Sequence, residues 1–159
     1  MLTSLDLFAG AGGMSLGALK SGFSALLAVE ANADAAATLR KNMGQVEVYC
    51  GDIRDKSFTK FRGAVDLVLG GPPCQPFSYA GAQKSYSDPR DMIPEFIRAT
   101  SEVRPRAFMM ENVPGLTSRR HYEYFTCVMK ELSDLGYIVQ AKIFGASDFG
   151  VPQNRRRLF

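Results

Sequence analysis

At 159 residues, 46% of them apolar and 22% charged, the chain has the size and composition of one soluble globular domain, and its formal charge of +3 is too small to imply a polyanionic partner. Three cysteines, Cys50, Cys74 and Cys127, form an odd set without CxxC spacing, which disfavours a disulfide framework and a zinc site and favours a reducing, cytoplasmic setting. No basic-then-apolar leader opens the sequence and no stretch approaches the roughly 20 apolar residues that span a bilayer, so neither secretion nor a membrane partner is expected.

Taken in order, residues 2–8 read as a first strand, and the glycine-rich turn 9–13 leads into a helix over 14–20 that Gly22 stops. A second strand over 25–29 ends at Glu30. The alanine-rich stretch 33–42 predicts a helix with Asn32 as its N-cap. Residues 46–50 form a third strand closed by Gly51 and Asp52, and 65–69 a fourth. A polar, aperiodic connection over 79–90 precedes a helix over 91–103, with Pro94 tolerated in its first turn. A fifth strand over 106–110 ends at Glu111, and a long amphipathic helix over 121–135 is closed by Gly136. Residues 137–143 read as a sixth strand, and Leu158 with Phe159 as the start of a seventh. Strands alternating with helices at this spacing predict an α/β fold with a doubly wound, mostly parallel sheet, with 1–159 as one domain.

The chemistry-bearing residues recur just after strand ends, the edge where open parallel sheets hold ligands. Asp6 and Phe8 lead into Gly10, Gly12 and Gly13, which let a ligand approach the backbone or simply reverse the chain; the spacing is not GxGxxG. Glu30, about 20 residues beyond the turn, stands where an acid bonds ribose hydroxyls, or is a solvated carboxylate. Asp52 caps a following turn or meets a ligand. Phe8 reads more simply as core. The fourth strand runs into GGPPCQPFS over 70–78, where prolines and glycines hold Cys74 on a stiff, extended turn, as a nucleophile or as an inert buried thiol. Glu111 is either a proton donor to an electron-poor ring or a helix cap. Arg155, Arg156 and Arg157 after Gln153 either bind phosphate or a base carbonyl, or form a solvated face. His121, the one histidine, lies away from these motifs and reads as structural or surface.

Together these motifs resemble the catalytic domain of the cytosine-5 DNA methyltransferases. Residues 6–17, DLFAGAGGMSLG, are similar to the family's first motif, with Glu30 and Asp52 where its next cofactor-binding acids stand. GGPPCQPFS resembles the catalytic motif, Glu111-Asn112-Val113 its ENV, and 153–157 its QxRxR. The resemblance implies a Rossmann-like fold binding S-adenosylmethionine, with S-adenosylhomocysteine as product, and double-stranded DNA as partner, in a bacterial restriction-modification setting. It implies a flipped cytosine attacked at C6 by Cys74, Glu111 at N3 and the exocyclic amine, Arg157 at O2 and Arg155 in support. Phe8 would stack near the adenine, Glu30 hold the ribose, Asp52 the adenine amine, and Ile53 the ring, with Pro73 on the methyl-donor side. Gln75, Ser78, Arg90 and Gln153 would meet DNA. Ala31 stands where relatives often carry an aromatic that stacks on the cofactor.

The family continues past QxRxR with further strands, a target recognition domain and a late segment that returns to the cofactor. This sequence stops at Arg156-Arg157-Leu158-Phe159, entering a strand. The expectation is therefore a split subunit needing a second polypeptide, a fragment, or a remnant. A non-catalytic protein binding cofactor, DNA or a partner, and a tRNA cytosine methyltransferase, are the alternatives.

Overall fold

Parallel strands need crossovers long enough to carry a helix, and the spacing of the apolar runs provides them. A computed structural model of the chain describes residues 1–73 and 90–159. They divide into two units, Met1–Gly71 with Glu95–Met110, and Pro72–Pro94 with Glu111–Phe159.

The first unit is a parallel five-stranded sheet in the order β3-β2-β1-β4-β5, built from β1 (Leu2–Leu7), β2 (Phe23–Glu30), β3 (Glu47–Cys50), β4 (Leu67–Gly70) and β5 (Ala107–Met110). The α/β doubly wound expectation is met. The order reverses between β1 and β4, the switch point beside which such sheets bind ligands. α1 (Gly13–Lys20) packs on β1 and β2, and α2 (Ala33–Asn42) on β2 and β3. Asn32 caps α2 as the sequence predicts, its side-chain oxygen accepting from the Ala35 N–H at 2.9 Å. α3 (Ile93–Val103) carries Pro94 in its first turn, and its buried residues Phe96, Ala99, Thr100 and Val103 fall on one helical stripe. Leu5, Leu7, Leu27, Val29, Val68 and Leu69 are buried in the strands, the composition expected of a sheet covered on both faces.

Gly70 explains part of the glycine pair that opens the cysteine motif. A Cβ there would stand 2.4 Å from the Leu7 carbonyl oxygen and 3.1 Å from the Leu7 Cβ. The close approach is between two strands at the switch point.

In the second unit, α4 (Tyr122–Asp134) buries Tyr124, Val128 and Leu132 at helical spacing, and Gly136 closes it at φ 96° with its N–H donating to the Ser133 carbonyl. His121, just before α4, is buried, which fits the structural reading; burial, with Arg120 nearby, pushes its pKa down. The predicted sixth strand is displaced. Residues 137–142 carry no strand and Ile138 is 95% exposed, while β6 (Ile143–Gly145) pairs antiparallel with β7 (Arg156–Leu158). β-Branched content at 137–143 favours extension, but a ladder also needs a partner in register. Phe144 at the centre of β6 packs edge-on against Phe149 and Phe159.

Candidate functional site

The first constellation lies along the C-terminal edge of the sheet. Phe8 follows β1 at φ 59°, a left-handed conformation that costs a non-glycine residue about 1 kcal/mol or more, and it is half-buried. Gly10 and Gly12 continue the turn at φ 55° and 95°. A Cβ at Gly12 would press on Leu39 at 3.3 Å, whereas beside Gly10 and Gly13 an added Cβ would meet nothing within 4 Å. Close packing on α2 thus explains Gly12, and open space flanks the other two.

Glu30, at the end of β2, is not a solvated carboxylate. One oxygen accepts from the Gly10 N–H and the other from the Asn32 N–H, each at 2.7 Å. The carboxylate ties the glycine turn to the start of α2, and each oxygen keeps a lone pair for a further donor. Asp52 caps the 3-10 turn Ile53–Asp55 through the Arg54 N–H at 2.9 Å and grips the Arg54 guanidinium with both oxygens. Hydrogen bonds from the Arg54 side chain and then its backbone hold the Asp52 carboxyl down at about 2. Of the two sequence readings, the cap is present; a ligand would have to share the carboxylate with Arg54. Ile53 is buried, and its carbonyl accepts from Arg98 at 2.9 Å.

Asp6 is the residue that sequence reasoning left without a role. It is 1% exposed, accepts from the equally buried Ser15 hydroxyl through Oδ2, and has no hydrogen-bond partner for Oδ1 among the described residues. Burial pushes its pKa up to about 7 against the opposing Ser15 hydrogen bonds, and Glu30 adds to the rise. Its sequence signals were an acid inside a strand and its place at the head of DLFAGAGGMSLG.

The second constellation belongs to the other unit. Glu111 meets Arg157 Nε at 2.8 Å and Arg155 Nη2 at 3.8 Å through one oxygen. Arg156 is exposed between them. Alternation along an extended chain puts 155 and 157 on one side, so these two members of the triple-arginine run reach Glu111, although Arg155, like Arg156, is exposed. Glu111 is bonded to side chains and caps no helix. Asn112, another residue without a sequence-assigned role, joins three motif segments: its backbone pairs both ways with Leu158 at 2.8 and 2.9 Å, Nδ2 donates to the Pro72 carbonyl at 3.2 Å, and Oδ1 accepts from the Val113 N–H. Its sequence signals were its place after a strand-end acid and within the Glu111-Asn112-Val113 motif. Pro73 is exposed and its carbonyl accepts from the Met92 N–H at 3.4 Å; Arg90 and Gln153 are exposed. Cys74, Gln75 and Ser78 lie outside the described residues.

Residues 2–159 match the family described as C-5 cytosine-specific DNA methylase. The chain belongs to this family. It is 44% identical over 158 residues to the Type II methyltransferase M.NaeI of Lentzea aerocolonigenes, covering 98% of this chain and 38% of that relative. Among solved structures it is similar to one described as a DNA modification methyltransferase encoded within a prophage (E. coli), with TM-score 0.82 and 31% identity over 99% of this chain and 45% of that one. It is also similar to a mutant of DNMT2 from Spodoptera frugiperda, with TM-score 0.76 and 27% identity over 99% of this chain and 48% of the other. The chain thus spans less than half the length of these three proteins. The fold is the Rossmann-like one of S-adenosylmethionine-dependent methyltransferases. Among the described residues no helix is long and apolar enough to cross a membrane.

Proposed function

We propose that the chain is the catalytic and cofactor-binding portion, over 1–159, of an enzyme that methylates C5 of cytosine in double-stranded DNA. The observation that carries the reading is the Glu111–Arg157–Arg155 cluster. Cytosine presents an amine donor at N4 and acceptors at N3 and O2. A carboxyl group beside a guanidinium offers an acceptor for N4, a proton for N3 and a donor for O2 on one edge. Removing electron density at N3 and O2 makes C6 electrophilic. In this reading the Cys74 thiolate adds to C6, the negative charge generated is taken up across N3 and O2 by Glu111 and Arg157, and C5 becomes the nucleophile. After C5 is alkylated, a base removes its proton, the C5–C6 double bond re-forms and the Cys74 sulfur leaves. Arg155 keeps the Glu111 carboxyl in position. Gln75, Ser78, Arg90 and Gln153 are assigned to DNA, with the target base flipped from its stack.

S-adenosylmethionine, when bound, supplies an electrophilic methyl group on a sulfonium. The residues along the sheet edge fit its holder: open space flanks Gly10 and Gly13, Glu30 keeps lone pairs for ribose hydroxyls, and the strained Phe8 is only half-buried. Asp52 and Ile53 are assigned to the adenine, and Pro73 to the methyl-donor side. In this reading a recognition domain, on a C-terminal half or on a second polypeptide, completes the enzyme, and a bacterial cytoplasm is its setting.

The test is a duplex carrying 5-fluorocytosine with S-adenosylmethionine, offered to the chain alone and with the C-terminal portion of a relative. Fluorine at C5 cannot leave as a proton, so the cysteine adduct persists and survives denaturing electrophoresis. Loss of that adduct in Cys74→Ser supports the reading, and no adduct under either condition overturns it.

A further inference from the structure

The segment 53–62 runs between β3 and β4 as two 3-10 turns, Ile53–Asp55 and Thr59–Phe61, without sheet pairing. Its backbone groups must therefore find partners elsewhere. Several come from one face of α3. Arg98 donates through Nη2 to the Ile53 carbonyl at 2.9 Å, and through both terminal nitrogens to the Lys56 carbonyl at 3.3 Å. Glu102 accepts from the Phe58 N–H at 2.6 Å, and Arg62 returns the tie by donating to the Glu102 and Ser101 carbonyls at 3.1 and 3.3 Å. The guanidinium is itself clamped, to Glu95 through Nε and to Glu102 through Nη1, each at 2.7 Å, and it lies 5.6 Å from the centre of the fully buried Phe58 ring.

A surface ion pair of an arginine with two helix neighbours is ordinary and weak. This one is different in what its other edge does. Nη2 reaches the carbonyl of Ile53, the residue next to Asp52, so Arg98 sets the position of the short turn that Asp52 caps. The planar fork lets one side chain hold Ile53, Lys56 and two carboxylates at fixed angles, which an ammonium cannot do.

We infer that Arg98, buttressed by Glu95 and Glu102, is a positioning residue for adenine recognition: it sets the Asp52–Ile53 turn so that the cofactor's 6-amino group is distinguished from a 6-oxo group. This rests on the assignment of Asp52 and Ile53 to the adenine. Discrimination is the quantity to measure, because an acceptor such as Asp52 accepts from an amine and opposes a carbonyl.

The dissociation constants of S-adenosylhomocysteine and its inosine counterpart are measured by calorimetry for the chain and for Arg98→Lys, with thermal unfolding as the control for folding. The inference expects Arg98→Lys to weaken the adenine ligand about tenfold, and the inosine ligand much less, so that the ratio between them collapses. Glu102→Gln, which keeps the side-chain volume, should lower the same ratio by a smaller factor and serves if the lysine variant does not fold. An unchanged ratio, or equal weakening of both ligands, overturns the inference, since a merely structural role would affect both alike. Asp52→Asn separates the two levels: if it leaves the ratio of the unsubstituted chain intact, the adenine assignment itself fails. If Asp52→Asn destroys the ratio while Arg98→Lys preserves it, only the role of Arg98 fails.

Discussion

Substituting Asp6 by asparagine should change how stability depends on pH, and the size of the change follows from the burial of the carboxyl. In the folded protein Asp6 titrates at about 7, against 3.8 when unfolded. Because the folded value is raised, the native state holds its proton more tightly. Stability from this group is fully present below pH 3.8, declines as pH rises, and is lost above about 7, where the carboxylate is charged and desolvated. At 1.36 kcal/mol per unit, a gap of about three units corresponds to about 4 kcal/mol between pH 4 and pH 8. Ser15 is the hydrogen-bonding neighbour, and Glu30 is the charged group that adds to the rise. The side chain introduced by Asp6→Asn cannot ionise, but its amide nitrogen faces the place where Oδ1 has no partner among the described residues, a cost of about 1–3 kcal/mol that does not vary with pH. The expected result is a crossing: Asp6→Asn less stable than the parent near pH 4.5 and more stable near pH 8. Urea denaturation followed by circular dichroism at half-unit steps measures it. Two parallel profiles would refute the assignment of a buried, proton-holding carboxyl to Asp6.

Gly70→Ala places a methyl 2.4 Å from a backbone oxygen that cannot rotate away, so β1 and β4 must part at the switch point; a loss of about 3 kcal/mol is expected in the same denaturation assay, and less than about 1 would contradict the close approach. Glu30→Gln must turn its NH2 toward one of two backbone N–H donors, since both carboxylate oxygens accept from backbone; a stability loss of about 1.5–3 kcal/mol is expected at neutral pH, and an unaffected midpoint would show that the two 2.7 Å bonds do not form.

How much of this was legible in the sequence depends on the range of the interaction involved. α2 could be bounded to the residue because its start is decided by Asn32 bonding to Ala35, three residues away. The sheet was legible because β2 and β4 are nearly unbroken apolar runs, as strands buried on both faces of a parallel sheet are, and because strands and helices alternate along the sequence. β6 was misplaced because residues 137–143 have the right local chemistry for a strand, while its pairing is decided by Arg156, Arg157 and Leu158, well over ten residues on. Local preference identifies a segment that will extend, and the partner decides where.

The site divides along the same line. Glu30 was found from its place after a strand, but what it does, bonding Gly10 and Asn32 at once, needs the two elements brought together. Asp52 was left open between cap and ligand because Arg54, two residues on, competes for the same oxygens, and composition cannot say which donor wins. The arginine run is the sharpest case. Read as a string, Arg155-Arg156-Arg157 is a block of positive charge with three equal members, and the ordinary expectation is a solvated face. Read on an extended backbone, the alternation separates Arg156 from the other two, and Glu111 takes up both of those. A carboxyl shared by two guanidinium groups suits a planar ring with alternating donors and acceptors better than it suits a phosphate, since an anion would have to displace Glu111 to reach Arg157. The short contact is the one to Arg157; Arg155 stands 3.8 Å away with half its side chain exposed, so the pairing distinguishes Arg157 within the run.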